Sequence, residues 1–448
     1  MLKHSPGAPC LILGRRTADA LASAGKWRHR KVESLRMFGG DRGRRKVSID
    51  CTPPRVTCGH SGATDVVPLG LIRKRPMKHF DLVDASGTPL PVLGRADDGH
   101  ITWSALCYLF SRDLERRLSR SEQEVLRTAV FAPRERGREL AVAAMQTFPD
   151  RHKISDQAFG LLYDTSTHFV LYCLAPRKRP NTRRIFKYSY AWNLLPGTVK
   201  ARWFQRILIA AGYSPAVFDL DIAGASDVAS YHLEVHVSEG LQAAGLELPE
   251  GADHESGRVD PGGGSVAHAV ASYSSQEADR TWKAVFAMKV EWRGVRTNSL
   301  VVTLFTFMVF LLHQILPGAD QALKDAGDGA VAVLLVVPAA YGIFGARAGE
   351  SAVLSSLVLP LRAAMLTCSA LLVAIAASIV GALREPYLGC LWLIGFIVVS
   401  LMAALQAGPL LVSARRYLSA RPALKGLWSI QKRAKLRKHR RNDGQIAR

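Results

Sequence analysis

The chain has 448 residues, 48% hydrophobic and 21% charged, with a formal net charge of +22. This balance excludes a wholly disordered polypeptide, and the length gives room for two or three domains. The seven cysteines, at 10, 51, 58, 107, 173, 368 and 390, are odd in number and widely spread, which is not the pattern of a disulfide framework.

The charge is unevenly placed. Residues 1 to 60 carry 13 Lys or Arg against four Asp or Glu, residues 413 to 448 carry 12 against one, and the apolar runs lie between 298 and 412. Basic residues beside a membrane span read first as topology signals and as contacts to anionic headgroups, so position favours a membrane over nucleic acid. Arg outnumbers Lys 42 to 17, which fits a high-GC genome and carries no function by itself.

In chain order, residues 1 to 65 are rich in Arg, Gly and Pro without hydrophobic periodicity, and are expected to form a disordered basic arm, with Met37 as an alternative start. Arg15-Arg16 has the look of a twin-arginine signal, but Asp19 and the return of charge at Lys26 break the apolar stretch that such a signal needs. Cys51, Cys58 and His60 have a C-x6-C-x-H spacing, wider than the two to four residues between paired ligands of common zinc modules.

Residues 66 to 297 have the mixed periodicity of a soluble domain. FDLVDASGTPLPVL (80 to 93) reads as strand, turn, strand; the run from Thr102 to Phe131 reads as one or two helices; 136 to 148 and 201 to 211 give further helices. Strands are expected at 183 to 192, 216 to 222, 230 to 237, 267 to 274 and 282 to 292, with a Gly-rich acidic loop at 249 to 264. The fold class predicted is an α+β cytoplasmic domain, of helices plus a small, mainly antiparallel sheet or sandwich, followed by an all-α membrane domain.

Two clusters in this domain are candidates for chemistry. In SYHLEVHV (230 to 237) a strand puts His232, Glu234 and His236 on one face and Tyr231, Leu233, Val235 and Val237 on the other. These are ligand types for zinc or another first-row metal, to be completed by His268 or by Asp219 and Asp221 of FDLDI; the alternative is an ordinary wet strand face. Arg73, Lys74, Arg75 and Lys78 are suited to phosphate or anionic lipid, against the plainer reading of a solvated turn. G-x4-G-K-[ST], G-x-S-x-G and H-E-x-x-H are absent, and no G-x-G-x-x-G opens a helix after a strand, so no catalytic residue and no cofactor is assigned.

Four runs, 298–316, 329–346, 363–383 and 388–410, contain no Asp, Glu, Lys or Arg. About 20 helical residues cross a ~30 Å hydrocarbon layer, so four transmembrane helices are expected. Basic residues at the boundaries fall 19 on one side and 2 on the other, which places both termini in the cytoplasm. His313 and Gln406 lie near span ends, Pro338 reads as a static kink, and Gly342 with Ala346 suits close helix contact. The tail from 413 to 448 mixes Tyr417, Leu418, Leu424, Leu427 and Trp428 with a basic run. Arg415, Arg416, Lys432, Arg433, Lys435, Arg437 and Lys438 are the expected contacts to anionic inner-leaflet lipids.

The stretches VPLGLIRKRPMKHFDLVDASGTPLPVL, RRIFKYSY, SYHLEVHVSEGL and YGIFGARAGESAVLSSL resemble segments of uncharacterised multi-pass membrane proteins of high-GC Gram-positive bacteria, in which a soluble domain precedes a helical bundle. The resemblance covers 66 to 412 in patches and implies the architecture alone. Tyr231, His232 and Glu234 match its pattern, whereas Ser238 stands where a proline is usual and His236 is not part of it. The expectation is a multi-pass plasma-membrane protein whose cytoplasmic domain senses, scaffolds or binds a protein partner. A transporter or channel subunit and a membrane-tethered metalloenzyme are the alternatives.

Overall fold

A computed structural model describes residues 10–37, 42–54, 56, 64–75, 77–179, 181–193, 202–222, 224–248, 252–259, 264–273, 283–316, 318, 327, 329, 336–345, 352–380 and 386–410. The chain divides into two compact units, the first made mainly of 1–200 and 216–289, the second mainly of 201–215, 290–350 and 354–448.

The first unit begins where a disordered arm was expected. Helix α1 (Leu11–Ala22) and the short α2 (Ala24–Trp27) lead into strands β1 (Arg28–Met37) and β2 (Arg42–Cys51), which pair antiparallel. Helix α1 is held against α3 (Arg95–Asp113) by a close backbone approach, because a Cβ on Gly14 would overlap the Ser104 carbonyl. The Cys10 amide donates to Ser104 Oγ at 3.1 Å, and Trp27 Nε1 donates to the Ala20 carbonyl at 2.8 Å. High charge hid these elements: β1 and β2 carry cations on inward as well as outward positions.

The remaining strands are β3 (Thr64–Arg73), β4 (Asp81–Val83), β5 (His168–Pro176), β6 (Arg184–Asn193), β7 (Ala216–Asp221), β8 (Ser230–His236), β9 (Leu241–Glu247), β10 (Ala252–Val259), β11 (Val266–Tyr273) and β12 (Lys283–Val290). The largest sheet runs β10-β11-β8-β1-β2-β6-β4, a second β7-β12-β9, and β3 pairs with β5 as a ribbon. Strand β8 lies parallel to β1 and antiparallel to β11, so the region is α/β with mixed sheets rather than one small antiparallel sheet. Residues 252–259, within the expected loop, form β10 instead.

The ribbon is the middle layer. On β3, Val67 and Leu69 join Val47, Ile49, Phe186 and Tyr188 of the large sheet in one core. Val66 of β3 and Val170 of β5 join Leu13, Ala20 and Ile101 of the helices in another. A strand buried on both faces reads as a continuous apolar run, which is why VVPLGLI shows no alternation. Helices α3, α4 (Arg120–Phe131), α5 (Arg134–Gln146) and α6 (Asp156–Thr167) form the helical layer around Phe110, Leu126, Phe148 and Leu162. Ser119 and Glu122 start α4 with a reciprocal capping box, which satisfies two amides that the helix leaves open.

In the second unit, α8 (Val295–Ile315), α9 (Val337–Gly345), α10 (Ala352–Val380) and a final helix, α11 (Tyr387–Leu410), follow α7 (Trp203–Ala211). Among the described residues three helices, α8, α10 and α11, are long and apolar enough to cross a membrane. Part of the expected second span, 330–335 and 346, lies outside the described residues, which there include the nine-residue α9. Helix α10 begins at Ala352, well before the expected 363, and carries Pro360 within it. Helix α7, expected as part of the soluble domain, groups instead with these helices. Buried Arg296 of α8 donates through Nη2 to the Ala211 carbonyl at the end of α7, and the Tyr213 hydroxyl lies so close to Gly408 that a Cβ there would overlap it.

Candidate functional site

Strand β8 alternates as its sequence requires, with Tyr231, Leu233 and Val235 fully buried and His232, Glu234 and His236 half-buried. Register places His268 opposite Glu234, and the His232 and His268 rings stack at 5.6 Å. Asp219 is elsewhere, on β7, with Val285 of β12 as its register partner. Glu234 approaches His236 at 3.9 Å, and Ser230 Oγ is 3.1 Å from His232 Nε2. Among the described residues no group of three or more His, Cys, Asp or Glu is placed to hold a metal ion. Burial, with Arg30 and His268 behind it, lowers the His232 pKa, and burial with Arg36 lowers that of His236. His232 and His268 thus form a stacked pair on this strand face, with Glu234 and His236 beside them. Cys51 is fully buried in the sheet core, its thiol pushed up to about 12 by burial; Cys58 and His60 lie outside the described residues, as do the basic residues of the tail from Arg415 to Lys438.

A different site forms where the large sheet, the ribbon and β7 meet. The inward positions of β1 are Lys31, Glu33 and Leu35, and those facing them across the ladder include Arg45 on β2 and Tyr188 and Tyr190 on β6. Apolar residues belong there, so the charges need partners. Glu33, 1% exposed, receives Lys31 Nζ at 2.7 Å on one oxygen and Arg45 Nη2 on the other. Burial pushes the Glu33 carboxyl up, yet Arg45 and Lys31 together outweigh it and hold the group below the usual carboxylate range.

From the ribbon side come Arg73, register partner of His168, and Arg75, just beyond β3. Arg73 Nε meets Asp221 Oδ2 at the end of β7, and His168 Nε2 stands 3.9 Å from the same oxygen. Asp221 is held well below its ordinary pKa: burial raises it, but the His168 contact and the Arg73 charge overcome that. Arg75 has no carboxylate within 4 Å among the described residues, and its guanidinium lies 5.8 Å over the Tyr190 ring. Its pKa is lowered by burial and by the neighbouring Arg45, Arg73 and Arg134, with Tyr190 opposing. A cavity of about 30 Å³ lies among these groups, closed by Leu35, Leu71, Leu220 and Trp192.

The basic cluster of 73 to 78 is thus not a solvated turn throughout. Arg73 and Arg75 line the cavity, while Lys74 is buried in the other direction, donating to the Val130 and Ala132 carbonyls at 2.5 and 3.2 Å. There it caps the C-terminus of α4, and burial lowers its pKa to about 8. Sequence reasoning found two of these arginines but neither Glu33 nor Arg45; the signal was a carboxylate and a cation alternating at i and i+2 in RKVES.

Some polar groups of the long apolar helices pair across them. Ser299 Oγ donates to Gln406 Oε1 at 3.1 Å, and Gln406 Nε2 donates to Thr303 Oγ1 at 3.1 Å, tying α8 to α11. His313 stacks on Trp392 at 3.9 Å. Such contacts hold helices together in a medium without water.

No protein-family model and no curated protein matches this chain. The class is therefore defined by the molecule itself. Length and composition of α8, α10 and α11 make it a helical membrane protein that carries an α/β unit with a charged internal pocket.

Proposed function

We propose that the chain is a multi-pass protein of a bacterial plasma membrane whose α/β unit is cytoplasmic and acts as a sensing or scaffolding module. The observation that supports this reading most is the junction: β12 ends at Val290 and α8 begins at Val295, so four residues separate the centre of the β7-β12-β9 sheet from a membrane helix. A shift in that sheet has little slack to absorb it before α8, which is what a two-state coupling element requires. Gly294, at φ +80, turns the chain at the junction in a conformation that favours glycine.

The apolar segment 329–346 is read as a fourth crossing, giving an even number of spans and both termini on one side, in agreement with the 19 to 2 division of basic residues. The basic tail then meets anionic inner-leaflet lipid, and the α/β unit is open to a protein partner. The bacterial origin rests on the resemblance of the four stretches quoted above.

Coupling is tested by hydrogen exchange on the full chain in lipid nanodiscs. Loosening the first unit with Glu33→Gln is expected to speed exchange at Val295 to Ser299 in the native chain and not in a chain with ten Gly-Ser residues inserted after Glu291. Equal exchange in both chains would remove the sensing reading and leave a tethered domain.

A further inference from the structure

We propose that the pocket between β1, β2, β3, β5, β6 and β7 binds a compact oxyanion of the phosphate class, with Arg75 as its principal ligand. The inference deepens the sensing reading by naming what is sensed, and rests on that reading only for its consequence in the membrane.

Cations outnumber carboxylates in the pocket. Four cations, Lys31, Arg45, Arg73 and Arg75, face two carboxylates, Glu33 and Asp221. Each carboxylate is already engaged: Glu33 by Lys31 and Arg45, Asp221 by Arg73. Arg75 is left over, half-buried and near the guanidinium groups of Arg45, Arg73 and Arg134. A cation drawn out of water next to like charges is costly, and an anion at that point offsets the cost.

Guanidinium groups present a planar fork that matches phosphate and carboxylate oxygens two at a time, and arginine is the side chain suited to this where water is excluded. Among the described residues His168 Nε2 is buried with no hydrogen-bond partner and stands 3.9 Å from the Asp221 oxygen, so it can serve a further oxygen. Its other nitrogen is occupied by Thr167 Oγ1 at 2.9 Å, which fixes the ring. Leu35, Leu71, Leu220 and the rings of Tyr188, Tyr190 and Trp192 complete the wall and keep the local dielectric low. At about 30 Å³ the cavity is far below the roughly 300 Å³ at which pockets for drug-sized ligands begin. That excludes a whole nucleotide and leaves a headgroup. The surplus of cations excludes a metal ion.

Arg45, Arg73 and Arg75 come from β2 and from the end of β3, and Asp221 from β7, so the cluster is made by the fold rather than by a run of charge.

The test is calorimetric titration of inorganic phosphate into the full chain in zwitterionic nanodiscs, at constant ionic strength set with chloride. One saturable site per chain is expected. Arg75→Gln should weaken it at least tenfold while leaving the melting temperature without phosphate unchanged or higher, since among the described residues Arg75 has no carboxylate partner to lose. No saturable binding, or the same affinity in Arg75→Gln, would overturn the proposal; so would equal stabilisation of both chains by phosphate, which is a general salt effect. Repeating the titration in nanodiscs containing phosphatidic acid separates the sources. Loss of the phosphate signal in the native chain names a lipid headgroup as occupant, and its persistence names a soluble phosphate. Binding of phosphate without any change in exchange at Val295 to Ser299 would leave the site standing and sink the sensing reading alone.

Discussion

Glu33 is the residue on which the first unit depends most. It holds two cations inside the sheet, so Glu33→Gln removes their shared carboxylate, and loss of one member of a buried pair costs about 3–5 kcal/mol; thermal melting of the full chain measures it. Because its folded pKa is lowered, its contribution is present above the unfolded value near pH ~4.3 and is lost as pH falls through the lower folded value. Asp98 works in the opposite sense. It sits 7% exposed in the first turn of α3 with Oδ1 unpartnered, and burial, helped by Asp97, raises its pKa to about 8. Between the unfolded value of ~3.9 and about 8 the folded chain holds a proton that the unfolded chain has released, so stability falls as pH rises through that window. Asp98→Asn should flatten this slope and raise the melting temperature at pH 8. An unchanged pH profile would show that Asp98 is hydrated. Neither residue was visible in the sequence: a carboxylate in a charged strand, or at a helix start, reads as solvent-facing until its neighbours in space are known.

At the scale of elements, legibility followed periodicity. Strand β8 and the helices between 95 and 146 were legible because one face is buried and the other wet, and the apolar runs were legible because lipid demands length without charge. Strands β1 and β2 were not, since ion pairs replace the apolar inner face; β3 and β5 were not, since both faces are buried and no alternation remains. Helix α1 gives a direct check. Gly14→Val must push α1 off the Ser104 carbonyl, and overpacking of this kind costs about 1–3 kcal/mol, seen as a lower melting temperature; a disordered arm would show no change. Helix α7 gives a second. Trp203 and Phe204 are 75% and 55% exposed on a helix tied to α8 through Arg296, and Arg296 itself stacks 3.6 Å over Trp292. Exposed aromatic rings beside a membrane span belong at the headgroup level. Brominated lipid should therefore quench the native chain more than Trp203→Phe, and equal quenching would place that ring in water.

For the whole molecule the ordering principle is the solvent each unit meets. The first unit buries its apolar residues in three layers and pairs the buried carboxylates Glu33 and Asp221 with its own cations. In the second, exposed apolar residues recur at Leu359, Leu366, Val373 and Val380 on α10 and at Ile394, Ile397 and Leu401 on α11, spacings that keep one helix face toward lipid. Site-directed labelling tests this arrangement most directly. In a chain without its native cysteines, single cysteines at Ser86, Gly318 and Ser419 are treated with a membrane-impermeant maleimide in intact and permeabilised cells. The account predicts labelling of the Gly318 position in intact cells, and of the Ser86 and Ser419 positions only after permeabilisation. Labelling at Ser86 in intact cells, or at Ser86 and Ser419 from opposite sides, would contradict it.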